Sequence, residues 1–470
     1  MGLRRARAAG PDVPGGRVGG AHPRPGAGPG RPAWLRPGRG GAGRPAGRRP
    51  GGRRPVRGGR AGPLRRRRRH LPAAAGGGPV SKCPMCFFAL PEDVASYACR
   101  VCPPEHNQRQ AACAGLTSVT WPVVTELVRD RQQGGVFSRR WPPTSVACHR
   151  CQRPATEQVC PTCHYLLPED WRDSDTLCVA LAGARNTGKS LYLGVAVQQL
   201  GLMLQSQGVA LQHGTVFSQQ SYERHYEEPL FSIRQMPQAT PRAQTEDAAQ
   251  RHPLVLSLGT RHRRRRYLVL RDAAGEELQN PPERALHLSY FDRADVVLFM
   301  FDPAADPAIA ALLPDVVQRG VDQGSAARVL ANVLRLSAEG RPPVGVVVSK
   351  FDLLQRLTRV EAPQWQAIMG NAGAAMQRDP GVEVMAYQRD DAELLSAEVH
   401  SLLTAMRARD VINQLAHPHD GRLRTSQFFA VSALGASAVD SGVHPHGIAS
   451  FRCLDPLRWA LARADLVDVA

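Results

Sequence analysis

The residues Gly183-Ala184-Arg185-Asn186-Thr187-Gly188-Lys189-Ser190 complete a G-x-x-x-x-G-K-[ST] phosphate loop. They follow at once on Leu177-Cys178-Val179-Ala180-Leu181-Ala182, a short apolar run without turn residues, as expected of a central parallel strand. From Ser190 to about Leu204 the pattern predicts an apolar helix. Strand, loop and helix in that order leave this segment little choice of fold. The glycines let backbone N–H groups approach phosphate oxygens, and the helix N-terminus adds positive potential. The chain has only three lysines, Lys82, Lys189 and Lys350, among 60 basic side chains, and Lys189 closes this loop. There a lysine reaches the β- and γ-phosphates as a slim point charge, which a planar guanidinium cannot imitate. The pattern implies a bound nucleoside triphosphate, with Ser190 as a ligand of Mg²⁺.

Downstream, alternating strands and helices predict an α/β domain over residues 173–470. Residues 254–258 and 267–270 read as an antiparallel hairpin with a turn region at 259–266, and Arg261 and Arg263 to Arg266 read as its solvated tip. The second strand runs into Asp272-Ala273-Ala274-Gly275-Glu276, a D-x-x-G phrase followed by a helix-like stretch at 283–290. An acid at the strand's end can hold Mg²⁺ through water. Gly275 can offer its N–H to the γ-phosphate, so that the loop orders only when that phosphate is present. Next come a buried strand at 295–301, a helical stretch at about 307–337, and the strand 344–348, which leads into Ser349-Lys350-Phe351-Asp352. An aspartate in that slot can accept both N1–H and the 2-amino group of guanine, a two-point contact adenine cannot offer, while the Lys350 stem packs on the base. A long helix at about 392–414 precedes a last strand, 427–431, which enters Ser432-Ala433-Leu434; residues 456–467 form the closing helix.

Eight of the 11 cysteines fall into four C-x-x-C pairs: Cys83/Cys86, Cys99/Cys102, Cys148/Cys151 and Cys160/Cys163. Two hairpin knuckles facing each other supply four thiolates in a tetrahedron, which suits Zn²⁺. The phrase Cys83-Pro-Met-Cys86-Phe-Phe-Ala-Leu-Pro-Glu-Asp93 is echoed by Cys160-Pro-Thr-Cys163-His-Tyr-Leu-Leu-Pro-Glu-Asp170, so pairing within each neighbouring doublet and pairing across the copies both stay open. His149 and His164, beside cysteines, read as surface residues. Cys113, Cys178 and Cys453 read as non-ligands, with Cys178 inside a buried strand. Residues 81–172 are therefore expected to form a zinc-ribbon region that staples a segment too small for its own core.

The net charge of +19 resides in the first 80 residues, which hold 20 arginines and one acid, Asp12. The rest carries 40 basic and 40 acidic side chains. The folded body thus has no global field toward nucleic acid, and any such binding is expected only through the arginine-rich tail. The tail has nothing apolar to bury and reads as disordered. It is read as an extension translated from an early start, with Val80 or Met85 as the alternative start, in preference to a basic arm for nucleic acid or anionic lipid. No membrane span and no signal peptide are expected, and the chain is expected to be cytoplasmic.

The loop, the D-x-x-G, the Ser-Lys-x-Asp and the Ser-Ala phrase, in this order, resemble the TRAFAC class of phosphate-loop GTPases. The zinc pairs, the Leu-Pro-Glu-Asp phrase, Asp272-Ala-Ala-Gly-Glu276 and Asp455-Pro-Leu-Arg-Trp459 look specifically like the bacterial double-GTPase proteins of the second type. The resemblance implies a doubly wound, mostly parallel sheet and a Mg²⁺-dependent GTPase acting as a switch, with GTP/GDP, Mg²⁺ and Zn²⁺ as cofactors and a protein effector or partner GTPase. It implies nucleotide contacts from Gly183, Asn186, Thr187, Gly188, Lys189, Ser190 and Leu191, from Lys350 and Asp352, and from the backbone of Ser432 and Ala433. Lys189, Asp272, Gly275 and Glu276 form the catalytic set, and Ser190, Asp272 and Thr240 the Mg²⁺ set, with Thr245 and Thr215 as alternatives to Thr240. Ser349 stands where Asn or Thr is usual and Glu276 where a water-positioning glutamine is common. Turnover without a partner is expected to be slow, on the order of 10⁻⁴ to 10⁻² per second. Arg185 reads as solvent-facing. With one phosphate loop visible, a second GTPase is expected to be another chain.

Overall fold

The computed structural model describes residues 81–129, 141–237, 252–283, 285–313, 325–418, 421–435, 443–444 and 447–470. The tail, Thr240 and Thr245 lie outside the described residues.

A small three-stranded antiparallel sheet opens the described chain. Strand β1 (Val94–Cys99) is flanked by β2 (Val123–Val128) and β3 (Glu157–Val159). Between β1 and β2 lies helix α1 (Gln108–Ala114), capped by the Asn107 side chain and ended by Gly115 at φ 72°.

The main sheet has seven strands: β4 (Asp175–Gly183), β5 (Gln212–His213), β6 (Leu254–Arg261), β7 (Arg264–Asp272), β8 (Val296–Phe301), β9 (Val344–Val348) and β10 (Ser426–Ala430). Their order is β10-β9-β8-β4-β7-β6-β5. The five strands from β10 to β7 run parallel, whereas β6 and β5 add antiparallel pairs at one edge. Residues 296–301 are buried throughout, which explains a strand of unbroken hydrophobicity. The register aligns the strand ends: Asp272 lies opposite Leu181, Met300 opposite Gly183, and Phe301 opposite Val348. The residues that follow the parallel strands therefore emerge along one edge, where open α/β sheets form their crevices.

Helix α2 (Lys189–Ser206) begins at Gly188, and α3 (Ala326–Leu336) is capped by Ser325 and buries Val329, Leu330, Val333 and Leu334 as one stripe. Two helices replace the single long one expected at 392–414. Helix α4 (Arg389–Ala405) stops where Arg407 takes φ 64°, and the Arg407 and Ala408 N–H groups return to the Thr404 and Leu403 carbonyls before residues 409–416 resume. The closing helix α5 (Asp455–Arg463) is shorter than expected and buried nearly all round. After the D-x-x-G phrase, helix Gly275–Gln279 and the 3₁₀ segment Leu286–Arg293 take the place of one stretch at 283–290.

The hairpin turn is also tighter than expected. Only His262 and Arg263, at φ 49° and 67°, lie between β6 and β7. The arginines do not form one solvated tip. Arg264 donates to Asp175 at 2.6 Å and to the Ser174 carbonyl at 3.0 Å, and buried Arg266 donates to the Leu466 and Leu258 carbonyls. Period-two alternation along β7 explains this: Arg265 faces solvent while its neighbours tie the sheet to the chain on either side.

Candidate functional site

The glycine-rich loop leaves β4 at Gly183, whose φ of +152° and surroundings exclude a side chain: an added Cβ would lie 2.7 Å from the Met300 carbonyl oxygen. Asn186 (φ 61°) and Gly188 (φ 82°) turn the chain into α2, and Thr187 Oγ1 closes the loop on the Ala184 carbonyl at 3.0 Å. Lys189 is buried, its Nζ donating back to the Gly183 and Ala184 carbonyls at 3.0 and 2.9 Å. Burial pulls its pKa down, against the pull of the Asp272 carboxylate. A cation held by two weak acceptors and drawn by a nearby carboxylate is poised for a stronger anion.

Asp272 ends β7, close enough for its carboxylate to act on the Lys189 ammonium. Three residues on, Gly275 meets the loop itself: a Cβ there would sit 2.5 Å from both Ala184 C and Arg185 N. Arg185 is not merely solvent-facing, because it pairs with Glu276 at 2.7 Å. Ser190 is the second residue of α2, and Asp272 is the last of β7. A serine hydroxyl and a carboxylate make an oxygen donor set that fits Mg²⁺. Thr215, one alternative for a third ligand, caps helix Val216–Tyr222 through Ser218 N–H at 3.0 Å.

On the other flank, Thr187, Gly188, Leu191, Ser349, Lys350, Asp352, Ser432 and Ala433 line one cavity of about 250 Å³. Asp352 Oδ1 accepts from Ser432 Oγ at 2.6 Å, so the two phrases brace each other. Lys350 stands in the left-handed region (φ 50°), with Nζ 2.6 Å from Asp302 Oδ2. Asp302 is wholly buried directly after β8, and no motif of the sequence marks it. Its position at a strand end was the available signal. Ser349, replacing Asn or Thr, donates from Oγ to the Phe301 carbonyl at 3.1 Å. Tyr192, Met236, Leu353 and Leu434 also line the cavity, and of these the sequence marks only Leu434, in Ser432-Ala433-Leu434.

The cysteines form two clusters, and the pairing crosses the copies. Cys83 and Cys86 join Cys160 and Cys163, here the inner set because it lies in the main core, while Cys99 and Cys102 join Cys148 and Cys151, the outer set. Sulfur pairs across the clusters lie 3.6 to 3.9 Å apart. Four thiolates at about 2.3 Å from a tetrahedral Zn²⁺ would be about 3.8 Å apart, so both sets fit the ion. The N–H groups of Met85 and Thr162 point at Cys83 and Cys160 sulfurs at 3.4 Å. The histidines stay out: exposed His149 bonds to Thr125, and His164 is held between Asn107 and Arg109, with burial and Arg109 lowering its pKa to about 4. The inner set shares the main core with Phe87, Tyr165, Trp171 and the seven-stranded sheet, whereas the outer set belongs to a small cluster with Ala95, Tyr97 and Val123.

The family described as Double-GTPase 2 matches residues 177–406. A protein named for ESX-1 scaffolding and assembly, SaeC of Mycolicibacterium smegmatis, is 40% identical over 390 residues, which cover 81% of this chain and 98% of that protein. The chain belongs to the Double-GTPase 2 family. The span matched by the Double-GTPase 2 family holds the glycine-rich loop, Asp272 to Glu276 and Ser349 to Asp352, and stops short of Ser432. Among solved structures, Sup35 complexed with GMPPNP is similar at 16% identity and a TM-score of 0.22, covering 61% of this chain and 44% of that one. Among the described residues no helix is long and apolar enough to cross a membrane.

Proposed function

We propose that this chain binds GTP with Mg²⁺ and hydrolyses it slowly, switching the loop after β7 between two states. The supporting observation is the crevice at the strand ends: the base-side residues Lys350, Asp352, Ser432 and Ala433 share a cavity with Thr187 and Gly188, and Gly275 packs on the loop's opposite flank. In this reading the fold is a doubly wound phosphate-loop GTPase over 173–470, preceded by zinc ribbons at 81–172 that hold two Zn²⁺. The loop amides and Lys189 take the phosphates, Ser190 and Asp272 take Mg²⁺, and Asp352 reads guanine. Magnesium, when bound, supplies charge neutralisation between the β- and γ-phosphates. The surroundings are cytoplasmic, and the output passes to a protein effector or partner GTPase.

A second reading is favoured by one contact. Arg185 holds Glu276 where a group that orients water would stand. A nucleotide-dependent scaffold that binds GTP without turning it over would tolerate that pairing, and the relative's name refers to scaffolding.

Phosphate release from the wild type and from Lys189→Ala decides between the two. Turnover predicts a rate in the wild type that the variant lacks, and equal background rates would leave the scaffold. A preference for ATP over GTP in equilibrium binding would overturn the guanine assignment.

A further inference from the structure

We propose that Arg271 is a positioning residue that seats the Asp272–Gly275 loop on the inner cysteine knuckle, so that metal at this knuckle governs discrimination between nucleoside triphosphate and diphosphate. The inference rests on the nucleotide reading above and adds a second input to the same site.

Arg271 is 6% exposed, and its guanidinium donates to three carbonyls from three separate segments. One is the Met85 carbonyl, within the Cys83-Pro-Met-Cys86 knuckle; the others are Cys113 of α1 at 3.2 Å and His287 of the 3₁₀ segment at 3.3 Å. The same guanidinium lies 4.0 Å from the centre of the Tyr290 ring, and Tyr290 packs edge-on against Phe87, the residue after Cys86, at 5.3 Å. Met85 faces both ways: its N–H points at the Cys83 sulfur at 3.4 Å while its carbonyl accepts from Arg271.

Metal at the inner set fixes the knuckle backbone at Met85, because a knuckle N–H bonds best to a metal-held thiolate. The Met85 carbonyl, on the next peptide of the same knuckle, holds Arg271. The next residue along β7 is Asp272, whose carboxylate acts on Lys189, and Gly275 then touches the loop at Ala184. A shift of the Met85 carbonyl therefore reaches the γ-phosphate side of the site within a few residues. The base cavity, built on β9 and β10, is not on this path. Neither is the outer cysteine set, which contains none of the carbonyls that Arg271 engages. The effect should fall on the triphosphate, whose terminal group meets Gly275, and spare the diphosphate. Coupling between binding sites is reciprocal, so bound triphosphate should also hold the inner metal more tightly.

The test uses the full chain loaded with Zn²⁺ and titrates a non-hydrolysable GTP analogue and GDP in parallel. Arg271→Gln is expected to weaken the analogue by about 10-fold and GDP by less than about twofold, with Arg271→Lys in between. Cys151→Ser, which disables the outer set, should leave both affinities unchanged. In Cys151→Ser, whose zinc is then held at the inner set, release of the metal to a chromophoric chelator should be slower with the analogue bound than with GDP. Affinities that fall together in Arg271→Gln, or zinc release indifferent to nucleotide, would overturn the proposal. The zinc-release arm decides the matter if Arg271→Gln does not fold. Wild type that binds neither nucleotide would instead sink the underlying nucleotide reading.

Discussion

Gly275 lies against Ala184 so closely that a Cβ on Gly275 would stand 2.5 Å from the Ala184 carbonyl carbon and 2.8 Å from its oxygen. Both atoms are backbone, so neither can swing aside. The loop after β7 and the glycine-rich loop touch through a contact only glycine allows, and whatever orders one is felt by the other.

Gly275→Ala should therefore displace the glycine-rich loop or the 275–279 helix by a substantial fraction of an ångström. Catalysis that depends on near-attack placement loses roughly 10²-fold for such shifts. Phosphate release should fall by about that factor, and affinity for a GTP analogue should fall more than affinity for GDP. A variant with wild-type turnover would show that the contact is passive packing.

Base recognition gives the next expectation. Asp352 is oriented by the Ser432 hydroxyl at 2.6 Å, with both carboxylate and hydroxyl on the cavity wall. Inosine nucleotides lack the 2-amino group of guanine and so forfeit one charge-assisted hydrogen bond, worth about 10- to 100-fold. Wild type should prefer GTP to ITP by that margin, and Asp352→Ala should bind both weakly and equally. A preference that survives the substitution would place guanine recognition elsewhere.

How far the chain could be read in advance depended on whether a feature is continuous in sequence. The glycine-rich loop, Asp272 to Glu276 and Ser349 to Asp352 are each contiguous, and each stands at the end of a strand whose apolar run announces it. Thiolate pairing was not readable in the same way, because Cys83 and Cys160 meet only after β1, β2 and β3 have folded between them. The arginines of β7 misled for a related reason. A charge run looks solvated until the carbonyls that receive each guanidinium are known, and one of those of Arg266 lies 200 residues away in the chain. Asp302 was legible only as a polar interruption, since its partner Lys350 comes from the neighbouring strand end. The break at Arg407 carries no glycine or proline to mark it.

The two cysteine sets should also differ in what their loss does. Cys160 is fully buried in the core shared with Trp171 and β4, whereas Cys148 belongs to the small outer cluster. Cys160→Ala should lower the temperature of global unfolding by about 10 °C, and Cys148→Ala should move it by less than about 2 °C while removing one zinc of two by elemental analysis. Equal shifts from the two variants would mean that the outer set supports the main sheet as well.

A pH dependence follows from the wall of the cavity that holds Asp352 and Ser432. Ser432 and Phe451 exchange backbone hydrogen bonds at 3.1 and 2.8 Å, and the next residue, Arg452, is almost wholly buried. Its guanidinium reaches Asp391 at 2.8 Å, the same carboxylate that Arg378 reaches at 3.0 Å. Burial raises the Asp391 pKa, but the two guanidinium groups outweigh it and leave the carboxyl below its ordinary value. The unfolded chain then binds more protons than the folded one between the two values, so stability rises with pH there. The contribution is complete above the unfolded pKa of about 3.9 and is lost as pH falls through the folded value. Urea midpoints of wild type and Asp391→Asn should differ by a constant amount from pH 7 to about pH 5, and the gap should shrink progressively as pH falls below the unfolded value of about 3.9. A gap that does not shrink at all on acidification would mean that the variant is destabilised by something other than the ion pair, and that Arg452 holds the Ser432 loop without help from the charge on Asp391.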